Sequence, residues 1–367
     1  MQGYRRFLIQ FILLLAFCFV HALATFAGEK DSHYESADST FKNEKFNPGT
    51  FMFGHVEDSH EWEIITWHGH HIRIALPVIL YSKHKGFTVF MSNKFENEAS
   101  EYDGFKLATE GKNKGDIVEI LPDGTIYKPL DLSITKNIFS LFFSTILLLW
   151  LFISIGNAYK RNPNKAPKGM QSLIEPVIIF IREDIAKPSI GENKYERFMP
   201  YLLTLFFFIW LNNILGLIPF FPGGANLTGN IAVTGVMALF TFVITTVNGS
   251  KTYWKHIVNP PDVPIWMKLP IPIIPFIEAT GVFTKPFVLM IRLFANITAG
   301  HFVGLGFISL IYIFAHMNVI LGYGMSVFSV AFDIFLIFME LLVGFIQAYV
   351  FTFLSALYFG MAMEKSH

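Results

Sequence analysis

Residues 198–250 read FMPYLLTLFFFIWLNNILGLIPFFPGGANLTGNIAVTGVMALFTFVITTVNGS and contain no Asp, Glu, Lys or Arg. A helix needs roughly 20 apolar residues to cross the hydrocarbon core of a bilayer. The stretch is therefore long enough for two membrane-spanning helices. Residues that favour turns interrupt it near its middle, which predicts where the two helices are joined: Pro219, Pro222, Gly223, Gly224 and Gly229.

Other apolar segments lie on either side of this pair. Residues 138–155 carry no charge, and residues 276–317 and 324–363 each exceed the length of a span, so we expect two long C-terminal helices that are tilted or protrude. Residues 170–185 mix apolar and charged positions, which predicts an interfacial helix. The predicted fold is an all-α polytopic membrane protein of about five transmembrane helices plus this interfacial element.

The composition agrees with a chain that lies largely in lipid. Charged residues make up 15% of the chain and hydrophobic residues 53%, whereas soluble domains carry about 25% charged residues. The net charge is zero, which provides no basic field for nucleic acid. The sequence contains no phosphate-binding G-x-x-x-x-G-K-[ST]. We therefore expect a protein that is not an enzyme and binds no nucleotide, cofactor or metal.

The N-terminus has the pattern of a secretory signal. Arg5 and Arg6 precede an apolar run that is short for a span, and Ala22 and Ala24 supply small residues at a cleavable spacing. We expect residues 1–24 to be a signal peptide, with a short membrane anchor as the alternative. The only cysteine, Cys18, would be lost on cleavage, so a disulfide framework is excluded.

Residues 25–131 are predicted to form a small β-rich domain outside the cytoplasm. β-formers cluster at 61–67 and 73–81, and Asp123-Gly124 is typical of a hairpin turn. The segment is rich in histidine, and His68 and His70 would share one face of a strand, as metal ligands can. Ordinary surface or packing histidines, and proton collection near a channel mouth, are the alternatives.

Basic residues in the loops predict the orientation of the chain. Eight Lys or Arg lie in 157–198 and three in 249–275, whereas 220–229 and 317–323 contain none. Loops rich in Lys and Arg lie in the cytoplasm. Residues 132–367 are thus predicted to form a multi-pass domain of a bacterial cytoplasmic membrane, with the C-terminus in the cytoplasm and the β-rich domain outside.

Charged side chains interrupt the two C-terminal apolar segments. An Arg at the centre of a span costs at least about 3 kcal/mol to insert, so it indicates a functional site by default. A structural Arg paired with a carboxylate inside the bundle is the alternative. Spacings of seven and four residues place four side chains on one helical stripe: Glu278, Lys285, Arg292 and Asn296.

The last helix carries a second polar stripe. Its members are again seven residues apart: Asp333, Glu340 and Gln347. Two such stripes can meet and line a wet crevice. Small residues are expected to let the helices approach closely: Ala295, Ala299, Gly300, Gly304, Gly344 and Ala348.

The residue types suggest different roles in proton movement. An Arg stays protonated, so Arg292 cannot relay a proton, but it can favour the ionised form of a nearby carboxylate and repel protons. His301, nine residues beyond Arg292 and nearly on the opposite side of the helix, and Glu340 can both titrate. We therefore expect Arg292 to act as a barrier and His301 with Glu340 to act as a relay.

The sequence RLFANITAGH at 292–301, followed by Glu340 and by QAYVF at 347–351, resembles subunit a of F-type ATP synthases. The resemblance covers about residues 132–364. It implies a stator subunit that packs against a ring of c subunits and contacts the peripheral stalk b subunits and the rest of the complex. Two half-channels would carry protons between the ring and the two sides of the bilayer.

The resemblance also implies residue roles. Arg292 matches the arginine between the half-channels, and Asn296 and Gln347 match polar positions near it. His301 and Glu340 match a pair that lines the outer half-channel. The carboxylate of Glu278 matches a position associated with the cytoplasmic exit, and Lys285 matches a nearby basic one.

The chain departs from the family pattern at Gly216, where some bacterial members carry Asp. Asp333 is our candidate replacement at the outer entrance. Two other functions remain open from the residues alone: a stand-alone proton-coupled secondary transporter and a membrane-anchored sensor. Inverted repeats would favour the transporter, and we find none in the sequence.

Overall fold

The computed structural model describes residues 47–56, 58–67, 70–95, 101–108, 116–121, 125–161, 166–218, 221–258 and 273–363. The predicted signal peptide and His68 lie outside these residues. The structure therefore tests neither the signal peptide nor a metal site at His68. Among the described residues, no group of three or more His, Cys, Asp or Glu is placed to hold a metal ion.

The N-terminal part of the chain is rich in short antiparallel strands. It begins with helix α1 (Pro48–Val56) and continues with β1 (Glu61–Trp67), β2 (His70–Ala75), β3 (Pro77–Ser82), β4 (Gly86–Met91), β5 (Glu101–Tyr102), β6 (Phe105–Leu107), β7 (Ile117–Ile120), β8 (Ile126–Tyr127) and β9 (Leu130–Asp131). Within the described residues the strands pair as β1-β2, as β4-β3-β9 and as β5-β6-β7-β8. Four of these strands, β3, β4, β6 and β7, share a core of buried apolar side chains: Val78, Leu80, Phe90, Phe105 and Ile117.

The structure confirms the predicted β-rich region and refines its strands. The strand predicted at 61–67 is β1, whereas the one predicted at 73–81 is divided between β2 and β3. Residues 122–124, with the predicted turn, lie outside the described part of the chain. The strands on either side, β7 and β8, nevertheless pair antiparallel, with Glu119 opposite Tyr127, as a hairpin requires.

From Lys136 onward, most of the described residues are helical. The elements are α2 (Lys136–Arg161), α3 (Met170–Phe180), a π-helical turn (Ile181–Ala186), α4 (Lys187–Ile190), α5 (Tyr195–Leu217), α6 (Ile231–Val247), α7 (Lys251–Val258), α8 (Ile273–Met317) and α9 (Val319–Met363). Four of them, α2, α5, α8 and α9, are long and apolar enough to cross a membrane. The pair α6 and α7, bent by 107°, would be a fifth span. The described residues are thus those of a polytopic membrane protein with four to five candidate spans.

The helix predicted at 170–185 is present as α3 and the π-helical turn, although its interfacial position stays a prediction. Its apolar side is buried at Ile174, Ile181 and Ile185. These side chains join one continuous core with α5 and α9. Burying apolar side chains in this way ties the segment to the membrane helices.

Phenylalanine fills much of the space between α5 and α9. The rings of Phe198 and Phe359 stack with centroids 5.0 Å apart, and those of Phe206 and Phe345 meet edge to face at 5.6 Å. Aromatic pairs at such distances add about 0.5–1.5 kcal/mol beyond the apolar area that they bury. The high Phe content therefore has a packing role inside the bundle as well as a role toward lipid.

The two long C-terminal helices are joined at a single residue, Asn318. Its side-chain oxygen accepts a hydrogen bond from the backbone N–H of Ile320 at 2.9 Å and so caps the start of α9. The sequence predicted a connection at 317–323 and a helix from 324. That boundary was wrong, because the cap lets the helix begin at Val319 and the apolar residues that follow continue it.

The β-rich domain is attached to the membrane helices by aromatic side chains. Trp62 of β1 is buried and meets Phe139 of α2 at 5.6 Å and Phe221, which follows α5, at 5.4 Å. Phe53 of α1 meets Phe302 of α8 at 5.1 Å. The domain therefore covers one end of the helix bundle.

We expect Gly360→Ala to destabilise the protein strongly. A Cβ at this position of α9 would overlap the carbonyl oxygen of Ser189 in α4, so the two helices would have to separate. Overpacking of this kind typically costs about 1–3 kcal/mol. Thermal unfolding of the purified protein checks this, with Gly156→Ala in α2 as the control because its Cβ would meet nothing within 4 Å. Equal melting temperatures for the two variants would contradict the close packing.

Candidate functional site

His301 of α8 and Glu340 of α9 lie side by side within the bundle. The imidazole Nδ1 and the carboxylate Oε1 are 3.6 Å apart, and the two side chains are 21% and 18% exposed. This distance is a contact rather than a hydrogen bond. Gly300 makes room for it, because a Cβ there would lie only 2.5 Å from Oε1 of Glu340. The two titratable groups can thus exchange a proton through a small movement or a single water molecule.

The pair opens into a small cavity between α5, α8 and α9. Its remaining lining comes mainly from α5 and from the segment that joins α5 to α6: Asn212, Asn213, Gly216, Leu217, Asn226, Thr228 and Ile297. Three buried atoms of the lining, Asn212 Oδ1, Asn226 Nδ2 and Glu340 Oε1, have no hydrogen-bond partner among the described residues. Buried polar groups of this kind are usually satisfied by water. The cavity therefore suits a bound water molecule.

A hydrogen-bond network holds the wall of this cavity in place. Asn213 donates from Nδ2 to the carbonyl oxygen of Gly344 at 2.9 Å and accepts from the hydroxyl of Thr228 at 2.6 Å. A Cβ at Gly344 would lie 3.0 Å from the Cβ of Asn213, so the glycine permits this approach. The network links α5, the following segment and α9 around the His301–Glu340 pair, which we call the relay pair; the cavity beside it is the relay cavity.

Gly216 lies next to His301, whereas Asp333 lies next to Gly304 of the same helix. A Cβ at Gly216 would be 3.8 Å from His301 Nε2, so a longer side chain at this position would enter the cavity. Asp333 lies against α8 instead, with Oδ1 3.2 Å from the Cβ position of Gly304, and within electrostatic range of Glu340. Asp333 is thus near the pair but not in the lining of the cavity.

Arg292 and Asn296 are placed on the opposite, exposed side of α8. Nearby positions on the same face are also exposed, with Val288 at 40% and Val303 at 47%. No element among the described residues covers this face. An exposed cationic side chain in the middle of a long apolar helix indicates a face that binds another component.

Two small residues do not have the position predicted for them. Ala295 and Ala299 lie on the exposed face with Arg292, not between the helices. Small size alone could not distinguish these two alanines from Gly300 and Gly304, which do face Glu340 and Asp333 of α9. Because their side chains are small, the alanines leave room on the exposed face around Arg292 for a neighbouring molecule to come close.

The other predicted residues occupy separate environments. Gln347 is buried in α9, while Glu278 is exposed. Lys285 lines a second cavity with Thr241, Tyr253 and Tyr358 among its neighbours, and its Nζ lies 5.7 Å from the ring centre of Tyr358. Arg292 acts electrostatically on the same tyrosine.

Sequence reasoning missed three residues of the relay cavity: Asn212, Asn226 and Thr228. A usable signal was present, because they are polar residues within the uncharged stretch at 198–250. Their spacing gave no indication that the segment after α5 folds back against His301. That placement depends on contacts between residues far apart in the chain.

Comparisons with known proteins show which proteins the chain resembles. Residues 138–360 match the family model described as ATP synthase A chain, and residues 51–133 match a family described only as a domain of unknown function. The chain is 41% identical over 254 residues to ATP synthase subunit a of Chloroherpeton thalassium, which covers 66% of this chain and 72% of the relative. It is 45% identical over 238 residues to the subunit a of Chlorobium phaeobacteroides (63% and 66%) and 39% identical over 244 residues to that of Myxococcus xanthus (65% and 75%).

Proposed function

Because the chain belongs to the ATP synthase A chain family, and is thus a proton-translocating membrane-sector subunit of an F-type ATP synthase, we propose that it is the stator that forms both proton half-channels against a c-subunit ring. It couples proton translocation to rotation of that ring and does not itself bind nucleotide. One observation carries the proposal. The His301–Glu340 pair and Arg292 lie on opposite sides of a single membrane helix.

The outer half-channel runs through the relay cavity. A proton from outside passes Asp333 and reaches His301 and Glu340, with water between the polar groups of the cavity. Each group binds the proton and releases it, so the pair is restored after every transfer. From Glu340 the proton reaches a rotor carboxylate, which becomes neutral and can enter lipid at a much lower free-energy cost.

Arg292 separates the two half-channels. Its fixed positive charge favours the ionised form of a rotor carboxylate that comes near it and repels a proton that would leak past. Asn296, one turn along the same exposed face, supplies a polar contact beside it, and Gln347 supports it from α9. The released proton leaves through a cytoplasmic exit lined by Glu278, with Lys285 as a nearby basic group.

The membrane orientation follows from the loop charges. The basic segment at 157–198 is cytoplasmic by the positive-inside rule. The β-rich domain then lies outside the bacterial cytoplasmic membrane, on the side where protons enter, and the C-terminus lies in the cytoplasm. The peripheral stalk b subunits would hold this subunit against rotation.

We expect the chain to co-purify with a ring of small hairpin subunits. The exposed face around Arg292, flanked by Val288 and Val303, is apolar enough for a helix to pack on it in lipid. Mild detergent extraction followed by mass analysis of the intact complex checks this. A chain that purifies alone, yet still moves protons in liposomes, would contradict the stator and favour a stand-alone transporter.

A further inference from the structure

The β-rich domain meets the membrane helices at the end where the relay cavity lies. Phe53 of α1 packs on Phe302, the residue next to His301. Trp62 of β1 packs on Phe221, which follows α5. The loop between these two contacts, which contains Asp58, therefore borders the segments that surround the relay cavity.

Hydrogen bonds hold the side chain of Asp58 in a defined position in this loop. Its Oδ1 accepts hydrogen bonds from the backbone N–H groups of Ser59 and Asn137, both at 3.0 Å, and so caps the start of α2. Its Oδ2 is buried and has no hydrogen-bond partner among the described residues. Burial raises the pKa of this carboxyl group above its usual range, although Thr135, Asn137 and Lys136 act in the opposite direction.

Charged groups from several elements surround Asp58. Lys136 at the start of α2 is within electrostatic range both of Asp58 and of His301. On the other side, His60 contacts Asp131 of β9 at 3.2 Å, and Glu61 is within range of His60. Burial opposes protonation of His60, but the Asp131 carboxylate outweighs it and raises the pKa of the imidazole.

Lys136 is thus a charged group that Asp58 of the domain and His301 of the relay pair have in common. The ammonium group of Lys136 is within electrostatic range of both titratable sites, so when it is charged it repels a free hydronium ion. The Asp58 carboxylate offsets this repulsion, because its negative charge attracts a proton that Lys136 would repel. Asp58 becomes neutral when it binds the proton and is ionised again when it releases the proton to water. No group is consumed and no co-reactant is needed.

We propose that Asp58 is a proton-binding site through which the β-rich domain feeds the His301–Glu340 pair. This inference rests on the proposed function, with the domain on the side of proton entry. The domain would then form part of the outer half-channel and would also cover the end of the helix bundle. Its proton source is the aqueous phase outside, and the proton acceptor is the His301–Glu340 pair.

Asp58→Asn tests the proposal, because asparagine keeps an oxygen that can cap α2 but cannot bind and release a proton. In membrane vesicles that hold the whole complex, we expect ATP synthesis driven by an imposed proton gradient to fall about tenfold when the pH on the entry side is about 8, and to recover near pH 6, where protons are abundant. Asp103→Asn is the control, since Asp103 is an exposed carboxylate of the same domain that pairs with Lys85.

Asp58→Glu should restore much of the synthesis at the higher pH, which a purely structural role would not require. A pH profile for Asp58→Asn that matches wild type and Asp103→Asn would overturn the inference. So would an equal loss at every pH, which indicates that only the α2 cap was lost. If Arg292→Ala in the same vesicles still pumps protons, the proposed function fails instead, so the two failures are distinguishable.

Discussion

Arg292→Ala is expected to abolish ATP-driven proton pumping in inverted vesicles while the complex stays assembled. The side chain lies on an exposed face of α8, on the opposite side from the His301–Glu340 pair. Replacing it removes the fixed charge that separates the half-channels, and the loss should be roughly a hundredfold or more, as for other single groups that stabilise charge in a water-poor site. Fluorescence quenching of a pH-sensitive dye measures the pumping directly.

Two further variants make this result specific. Arg292→Lys keeps the positive charge but loses the planar fork of the guanidinium, so we expect it to pump better than Arg292→Ala and worse than wild type. Arg161→Ala removes an exposed arginine at the end of α2, outside the proposed channel, and should pump normally. Normal pumping by Arg292→Ala in an assembled complex would mean that this arginine is structural.

The sequence predicted the features that depend on local pattern. Long uncharged segments identified the spans, because a bilayer requires them whatever the tertiary contacts are. The placement of Arg292 and His301 on different sides of α8 also follows from helical spacing alone. Charged residues in the apolar segments, which cost free energy to insert into a bilayer, indicated the region of the site from the sequence alone.

The features that the sequence could not predict depend on distant contacts. Asn226 and Thr228 become part of the site because the segment after α5 folds back, where Thr228 donates to Asn213. The start of α9 was misplaced because the cap at Asn318 involves one side-chain oxygen and leaves no change in hydropathy. Ala295 and Ala299 have the same spacing whether a helix face packs inward or outward.

Glu340→Gln is expected to lower proton-driven ATP synthesis by roughly a hundredfold, because it removes one of the two titratable groups of the relay and proton-transfer groups contribute on this scale. Glutamine has nearly the same volume, so the cavity and the packing against Gly300 should persist. Glu196→Gln is the matched control, since Glu196 is exposed in the first turn of α5. Synthesis at the wild-type rate in Glu340→Gln would remove Glu340 from the proton path.

Gly300→Ala tests the same pair without a change of charge. The new methyl group would lie 2.5 Å from Oε1 and 3.0 Å from Cγ of Glu340, so the carboxylate must move away from His301. If proton transfer depends on the 3.6 Å approach of the two side chains, this variant should lose most of its synthesis activity while both titratable groups are retained. Gly281→Ala, on the same helix with nothing within 4 Å of its Cβ position, should behave as wild type. Full activity in Gly300→Ala would show that the two groups act independently, each through water, and that their contact is not needed for transfer.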